Sequence, residues 1–291
     1  MPNLPHGLIG FRPLNRRPTR EQTIGINWLS PQALGLVAWY PFWGNAGTPQ
    51  QELVRGHLSS NFNAAPLPSF DPLFGAVAKG GGDGNGGGTT RAYQFLKQPH
   101  TQVGNIVPTP WAYSFWFKTF DTSSAGVDEY LMQYTVNGGT FPGTAISFDT
   151  SQQLACNTNG TSLGDAGFKT AMNPYDAKWH HCLFVQVPSG NANTYDTTNT
   201  YYIDGALDGS NAGCCQAGVV SAGDLFFNGD NQSDPPNPGY LFDFRIYRGL
   251  KALTFAKHLY QPATRWDLYR VAPIWEGLGG VPLRRWIVGR H

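Results

Sequence analysis

Four groups of residues have the types and spacing to do chemistry. His180 and His181 adjoin in Trp179-His180-His181-Cys182, and paired imidazoles can share a metal or move a proton. Asp128 and Glu129 are adjacent carboxylates, and glycoside hydrolysis needs two carboxylates about 5–10 Å apart. The run Asn228-Gly229-Asp230-Asn231-Gln232-Ser233-Asp234 crowds oxygen donors into one loop, which suits a hard cation such as calcium. Residues 80–88, Gly-Gly-Gly-Asp-Gly-Asn-Gly-Gly-Gly, hold spaced glycines of the kind that cradle phosphate.

The elements that must position these residues narrow the choice. In Trp179–Val187, Trp179, His181, Leu183, Val185 and Val187 alternate with His180, Cys182, Phe184 and Gln186. That is the period of a strand, and it puts the two histidines on opposite faces. They cannot chelate one metal, so a structural role is expected, with one packed beside Trp179 and one hydrogen-bonded. A second strand, Thr200–Ile203, ends at Asp204-Gly205, a tight turn in which Asp204 is expected to accept hydrogen bonds. The glycine run lacks the preceding strand, the following helix and the Lys-Ser/Thr of a phosphate loop; a flexible loop is expected. No Ser/His/Asp constellation stands out, and no catalytic residue is assigned. Asp230 and Asp234 are candidate calcium ligands, though the fixed spacing of a dedicated calcium loop is missing, and no other cofactor is expected. Asn228, Asp230, Asn231, Asp234 and Tyr240 make a candidate glycan-contacting rim. The cysteines, Cys156, Cys182, Cys214 and Cys215, match neither a zinc site nor a disulfide scaffold. Cys182 reads as a buried thiol; Cys214-Cys215 reads as a reduced pair or a vicinal disulfide.

Other strands are expected at Gly35–Phe42, limited to an edge or an end by Pro41, and at Tyr93–Leu96, Trp111–Lys118, Tyr130–Val136, Thr144–Phe148, Gln153–Cys156, Asp224–Asn228 and Tyr240–Tyr247. Asn137-Gly138-Gly139 signals a hairpin. In the last strand Phe242, Phe244 and Ile246 are expected on one face and Leu241, Asp243, Arg245 and Tyr247 on the other, with Asp243 paired. One helix is expected over Leu253–Tyr260, capped by Thr254 and stopped by Pro262. About ten strands and one helix near the C-terminus predict an all-β, two-sheet antiparallel sandwich with extended terminal arms.

Composition agrees. Of 291 residues only 13% are charged, against about 25% in ordinary domains. The 36 Gly, 22 Pro, 9 Trp, 13 Tyr and 18 Phe suit short strands, turns and an aromatic core. Charge is segregated. Residues 1–33 and 263–291 hold nine arginines against three acids, +6 together; the whole chain is +1, so the middle is −5. Basic ends on an acidic body can dock on a neighbour. Arg12, Arg16, Arg17, Trp266, Tyr269, Trp275, Arg284, Arg285 and Trp286 are the candidate assembly residues of the two arms. Nucleic-acid binding is not expected, since no element supports it. No charged and apolar leader opens the chain, so no signal peptide is expected. No run of 18 apolar residues exists, so no membrane span is expected either.

The order of segments resembles the laminin G-like, concanavalin A-like jelly-roll family in its bacterial and phage branch. Gly35–Phe42 resembles that family's opening strand, Trp111–Lys118 its aromatic strand, and Lys178-Trp179-His180-His181 with Tyr202-Ile203-Asp204-Gly205 its Trp-His-His strand and Asp-Gly hairpin. Phe242–Tyr247, followed by the helix to Tyr260, resembles its closing signature. The resemblance implies three parts: an arm over 1–33, a sandwich over 34–262 and an arm over 263–291. In glucanases of this architecture both carboxylates lie close together on one strand, and Asp128-Glu129 lacks that motif, so no enzyme is expected. Two functions are implied. One is a non-enzymatic virion structural protein, decorating a phage capsid or belonging to its tail or fibre, extracellular after assembly, with copies of itself and other virion proteins as partners. The other is a carbohydrate-binding adhesion module for surface glycans, with or without calcium.

Overall fold

The protein is seen in a computed structural model that describes residues 24–42, 50–63, 67–79, 91–98, 110–119, 129–135, 142–148, 153–158, 168–171, 175–188, 197–214, 223–228, 239–249 and 251–271. Two antiparallel sheets face each other. The first runs β11 (Phe168–Lys169), β10 (Leu154–Thr158), β9 (Pro142–Phe148), β8 (Glu129–Thr135), β15 (Gly223–Phe227), β6 (Arg91–Gln98), β3 (Ser60–Asn63). The second runs β14 (Ala206–Cys214), β13 (Thr197–Ile203), β12 (His180–Pro188), β7 (Trp111–Lys118), β16 (Tyr240–Arg248), β5 (Gly75–Lys79), β4 (Leu67–Asp71), and β2 (Leu36–Tyr40) also pairs with β16. Helix α1 (Leu253–Tyr260) and a small ribbon of β1 (Ile24–Ile26) with β17 (Tyr269–Val271) complete the described chain.

The two-sheet sandwich expected from alternation is the fold observed. Trp111, Tyr113, Phe115 and Phe117 of β7 point into the space between the sheets, where they meet Cys182 and Phe184 of β12 and Phe95, Leu131, Ile146 and Phe227 of the opposite sheet. Each such side chain, fully buried, stabilises the fold by about 1.5–3 kcal/mol. Cys182 is a buried free thiol. Cys156 lies in β10 and Cys214 in β14, while Cys215, the glycine run and Asn137–Gly139 lie outside the described residues. β8 and β9 do pair antiparallel across that last segment.

β7 is buried on both faces because the second sheet carries a further layer on its outside. Ala112 and Trp116 of β7, with Leu183 and Val185 of β12, pack there against Ala256 and Leu259 of α1 and against Ile26, Trp266, Leu268 and Tyr269. This corrects the expected arms. Residues 24–33 and 263–271 are part of the folded body, since Ile26, Ala33, Trp266, Leu268 and Tyr269 are buried against their own sandwich rather than a neighbour's. Gln32 ties the two segments together. It is buried, its Nε2 donates to the Thr264 carbonyl at 2.6 Å, and its Oε1 accepts from Arg245 Nη1 at 2.6 Å.

Two further expectations are corrected. β16 does not alternate cleanly. Asp243 takes φ +55° and the register shifts between Phe242 and Arg245. The bulge reverses the facing of the strand. Leu241, Phe244 and Ile246 enter the inter-sheet core, whereas Phe242 and Tyr247 enter the outer layer. The same bulge lets one edge of β16 serve two strands. Its first residues pair with β5 and its last with β2, which ends at Tyr40, just before Pro41. Thr254 does not cap α1. Ala252 occupies the N-cap with extended backbone and no side-chain bond, so Thr254 already lies inside the helix. The stop is as expected, with Gln261 at the C-cap and Pro262 next.

Candidate functional site

The rim is built from the ends of strands at one end of the second sheet. Tyr240 opens β16; its hydroxyl lies 2.7 Å from Ser69 Oγ of β4, and its ring stacks on Trp179 at 5.9 Å. Beside Ser69 the chain turns at Asp71-Pro72-Leu73-Phe74. Asp71 Oδ1 accepts from the Leu73 amide at 2.8 Å and its Oδ2 lies 3.3 Å from Lys118 Nζ. Burial pushes the Asp71 carboxyl up, but the nearby Trp179 indole, the hydrogen bonds from the Leu73 and Phe74 amides and the Lys118 ammonium outweigh it and hold the pKa below the usual range. The turn leaves Phe70 76% and Leu73 50% exposed on an ordered frame. Ser69, Phe70, Asp71 and Lys118 were not among the expected rim residues. The Asp-Pro turn signal at 71–72 was the available clue.

Of the expected rim, Tyr240 is half-buried and placed as described. Asn228 is corrected. It is wholly buried at φ +64°, its amide donates to the Leu131 carbonyl at 2.9 Å, and it ends β15 instead of facing solvent. Asp230, Asn231 and Asp234 lie outside the described residues, as do Asp128 and, among the arm residues, Arg12, Arg16, Arg17, Trp275, Arg284, Arg285 and Trp286. Trp266 and Tyr269 are corrected with their segment: both are buried, packed on each other and on Phe74 and Trp39 respectively.

The two histidines do occupy opposite faces. His180 Nδ1 lies 2.8 Å from Asp204 Oδ2 and its Nε2 lies 3.0 Å from Asp176 Oδ1. Asp204, at φ +52° in the turn after β13, also accepts from the His181 amide at 2.9 Å, so its carboxylate reaches across to β12. Burial disfavours charge on His180, yet the bonds to Asp204 and Asp176 prevail and raise its pKa. His181 Nε2 lies 2.9 Å from Ser114 Oγ, and its ring is 5.1 Å from that of Trp116. Burial first, then the charges of Arg245 and Arg265, push His181 down to about 3. Ser114 and His181 have the types of a nucleophile and its base. Both are sealed under the outer layer, and His181 Nδ1 has no hydrogen-bonding partner to orient it, so the triad logic is not met.

Asp243 finds its expected partner two residues along its own strand. Arg245 donates from Nε to Asp243 Oδ1 at 3.0 Å and from Nη2 to Oδ2 at 2.5 Å. Trp39 Nε1 donates to Asp243 Oδ1 at 2.6 Å. The other described carboxylates are also committed to structure. Glu52 accepts from the amides of Trp39, Val54 and Arg55, Asp208 from the Ala171 amide, Asp224 from Gln94 Nε2, and Asp267 lies 3.1 Å from His258 Nε2. Among the described residues no three His, Cys, Asp or Glu side chains are grouped to hold a metal ion.

A family model described as the concanavalin A-like lectin/glucanases superfamily, of laminin G type, matches residues 90–256, from the start of β6 into α1. No curated protein matches the chain. Solved structures match in fold. The binding domain of Paraclostridial mosquitocidal protein 1 is 12% identical, with TM-score 0.52, and the match covers 78% of this chain and 52% of that one. The botulinum neurotoxin type G receptor binding domain is 12% identical, with TM-score 0.51 and coverage of 78% and 51%. Trypanosoma rangeli sialidase, solved in complex with sialic acid, is 13% identical, with TM-score 0.51 and coverage of 78% and 32%. At such identities the likeness is one of fold. The match spans about half of each toxin domain and about a third of the sialidase.

Proposed function

The chain belongs to the concanavalin A-like lectin/glucanases superfamily, and from that premise we propose that it is a non-enzymatic binding module that meets carbohydrate at the Ser69–Leu73 turn and Tyr240. The observation that carries this reading is the use of its acids. Eight described Asp and Glu side chains hold amides, guanidinium, ammonium or imidazole groups. A hydrolase instead keeps two carboxylates aimed at a substrate. The 76% exposed Phe70 offers a sugar an apolar surface, and the Ser69 and Tyr240 hydroxyls and the Lys118 ammonium, held through the residues on either side of it in β4, are polar groups of the same strand end. Receptor-binding domains share the fold, which supports the reading by analogy only. Calcium at Asp230 and Asp234 is a separate part of the proposal. A glycan array on the intact protein, with and without chelator, tests both. Binding is expected to weaken on Phe70→Ala. Silence across the array removes the carbohydrate reading, and binding indifferent to chelator removes calcium.

A second reading, favoured by charge alone, is a virion structural protein that docks through its N-terminal arm. Residues 1–23 carry four arginines, including Arg12, Arg16 and Arg17, against Glu21, a net +3; residues 24–271 carry 13 basic and 17 acidic residues, a net −4. Removing residues 1–23 should then lower the oligomeric state seen by light scattering. A truncated chain that assembles like the intact one rejects this reading.

A further inference from the structure

Arg245 and Arg265 both bring a guanidinium into the outer layer of the second sheet, and only one of them is answered. Arg245 is wholly buried and meets the Asp243 carboxylate through Nε and Nη2. Arg265 is half-buried. Among the described residues no carboxylate lies within ion-pair distance of it and no acceptor takes a hydrogen bond from its guanidinium, whose Nε is sealed from solvent. Burial pushes its pKa down, and the opposing influence is the Tyr260 phenol.

Three side chains converge on one indole beside it. Arg265 Cζ lies 5.1 Å from the centre of the Trp116 ring, the Tyr260 ring stacks on that indole at 5.7 Å, and the His181 ring is 5.1 Å from it. Trp116 and His181, at 4% and 1% exposure, form a floor, and the half-buried Arg265 and Tyr260 form an edge that reaches solvent. His181 Nδ1 is a second buried nitrogen without a hydrogen-bond partner. The imidazole is neutral near pH 7, because burial and the two arginines hold its pKa down to about 3. The cluster therefore holds two guanidinium charges against the single carboxylate of Asp243.

The edge is fixed before any ligand arrives. The Arg265 amide donates to the Gln261 carbonyl at 2.9 Å, and the Arg265 carbonyl lies 3.5 Å from Arg245 Nη2. Next to it the Thr264 carbonyl accepts from Gln32 Nε2 at 2.6 Å, and Thr264 Oγ1 donates to the His258 carbonyl at 2.6 Å. Tyr260 is backed by Gly205, where a Cβ would come within 3.2 Å of Tyr260 Cδ1. Groups held in this way lose little freedom on binding.

We propose that Arg265 and Tyr260, above the Trp116 floor, form a binding site for the carboxylate of a small organic acid. A guanidinium offers paired N–H groups in one plane, which match the two oxygens of a carboxylate. The Tyr260 ring gives the carbon skeleton of the acid an apolar neighbour. One negative charge balances the excess of the cluster, whereas a dianion overshoots it. The site uses none of the residues of the Ser69–Leu73 turn and does not rest on the carbohydrate reading.

The Arg265 Nε–H signal in heteronuclear NMR spectra, assigned by its loss in Arg265→Lys, reports on the site directly. Sodium acetate, exchanged for sodium chloride at constant ionic strength, should shift it saturably in the millimolar range, as suits so small a ligand. The Trp116 indole signal, assigned by its loss in Trp116→Phe, should move with the same midpoint. Arg265→Lys keeps the charge and loses the planar fork, so the midpoint read at Trp116 should rise by about tenfold. Arg265→Gln should abolish the response. A shift in the intact protein that is absent or grows without saturating overturns the proposal, and so does an Arg265→Lys or Arg265→Gln variant that binds acetate as the intact protein does. Phosphate that binds as tightly as acetate or tighter overturns the assignment to a carboxylate.

Discussion

His180 and His181 are consecutive, yet β12 turns one toward two carboxylates and the other into a sealed apolar layer with arginines nearby. Their effects on stability therefore have opposite signs. His180 has a raised pKa, so its contribution is complete below about pH 6.5 and is lost as pH rises through the folded value. His181 is pushed down to about 3, so its contribution is complete above about pH 6.5 and is lost as pH falls toward about 3. Urea midpoints followed across pH should show both limbs. His180→Gln should flatten the alkaline limb alone, and His181→Asn the acid limb alone. An alkaline limb unchanged by His180→Gln would show that Asp176 and Asp204 do not hold a charged imidazole.

Arg245→Met should cost about 3–5 kcal/mol of unfolding free energy in denaturant titrations, because it strands the buried Asp243 carboxylate. Adding Asp243→Asn should recover part of the loss, since the two residues share one bidentate contact. Additive losses would mean the pair is not coupled.

Gly35 and Gly249 both have positive φ, +72° and +98°, but differ in their surroundings. A Cβ on Gly35 would run into the Arg248 carbonyl oxygen, whereas among the described residues nothing lies near one on Gly249. Gly249→Ala should thus cost only the conformational term, about 1–2 kcal/mol. Gly35→Ala should cost clearly more and reduce soluble yield. Equal melting temperatures for the two variants contradict this account.

Trp266→Ala should destabilise by about 3–5 kcal/mol, because the indole packs edge-on to Phe74, Phe242 and Tyr269 within its own chain. The oligomeric state by light scattering should not change. A variant of full stability that changes assembly would return Trp266 to an interface.

The strands legible in the sequence are those whose partners merely fill in an alternation already present. β7 and β12 carry aromatic and branched residues at period two, and their observed bounds differ little from the expected ones. β14, Ala-Leu-Asp-Gly-Ser-Asn-Ala-Gly-Cys, and β4, Leu-Pro-Ser-Phe-Asp, have little strand preference of their own. They are strands because β13 and β5 offer them a ladder, a tertiary effect that propensity does not carry. The facing of β16 is not legible, because nothing in Phe-Asp-Phe announces a bulge at its Asp. Of the candidate site, the Asp71-Pro72 turn is legible, but the meeting of Ser69 with Tyr240 comes from the pairing of β4, β5 and β16, which local sequence does not set. The apolarity of residues 263–271 was plain, and only packing could say whose surface it covers.

The pairing of Ile24 with Val271 joins residues nearly 250 positions apart. During synthesis from the N-terminus, β1 is made early and must wait for its partner until almost the whole described chain exists. The outer layer of the second sheet, and with it the cover over Ser114 and Arg245, is thus the last part of the body able to close. A nascent or prematurely ended chain carries this face open, and quality control will meet it there first.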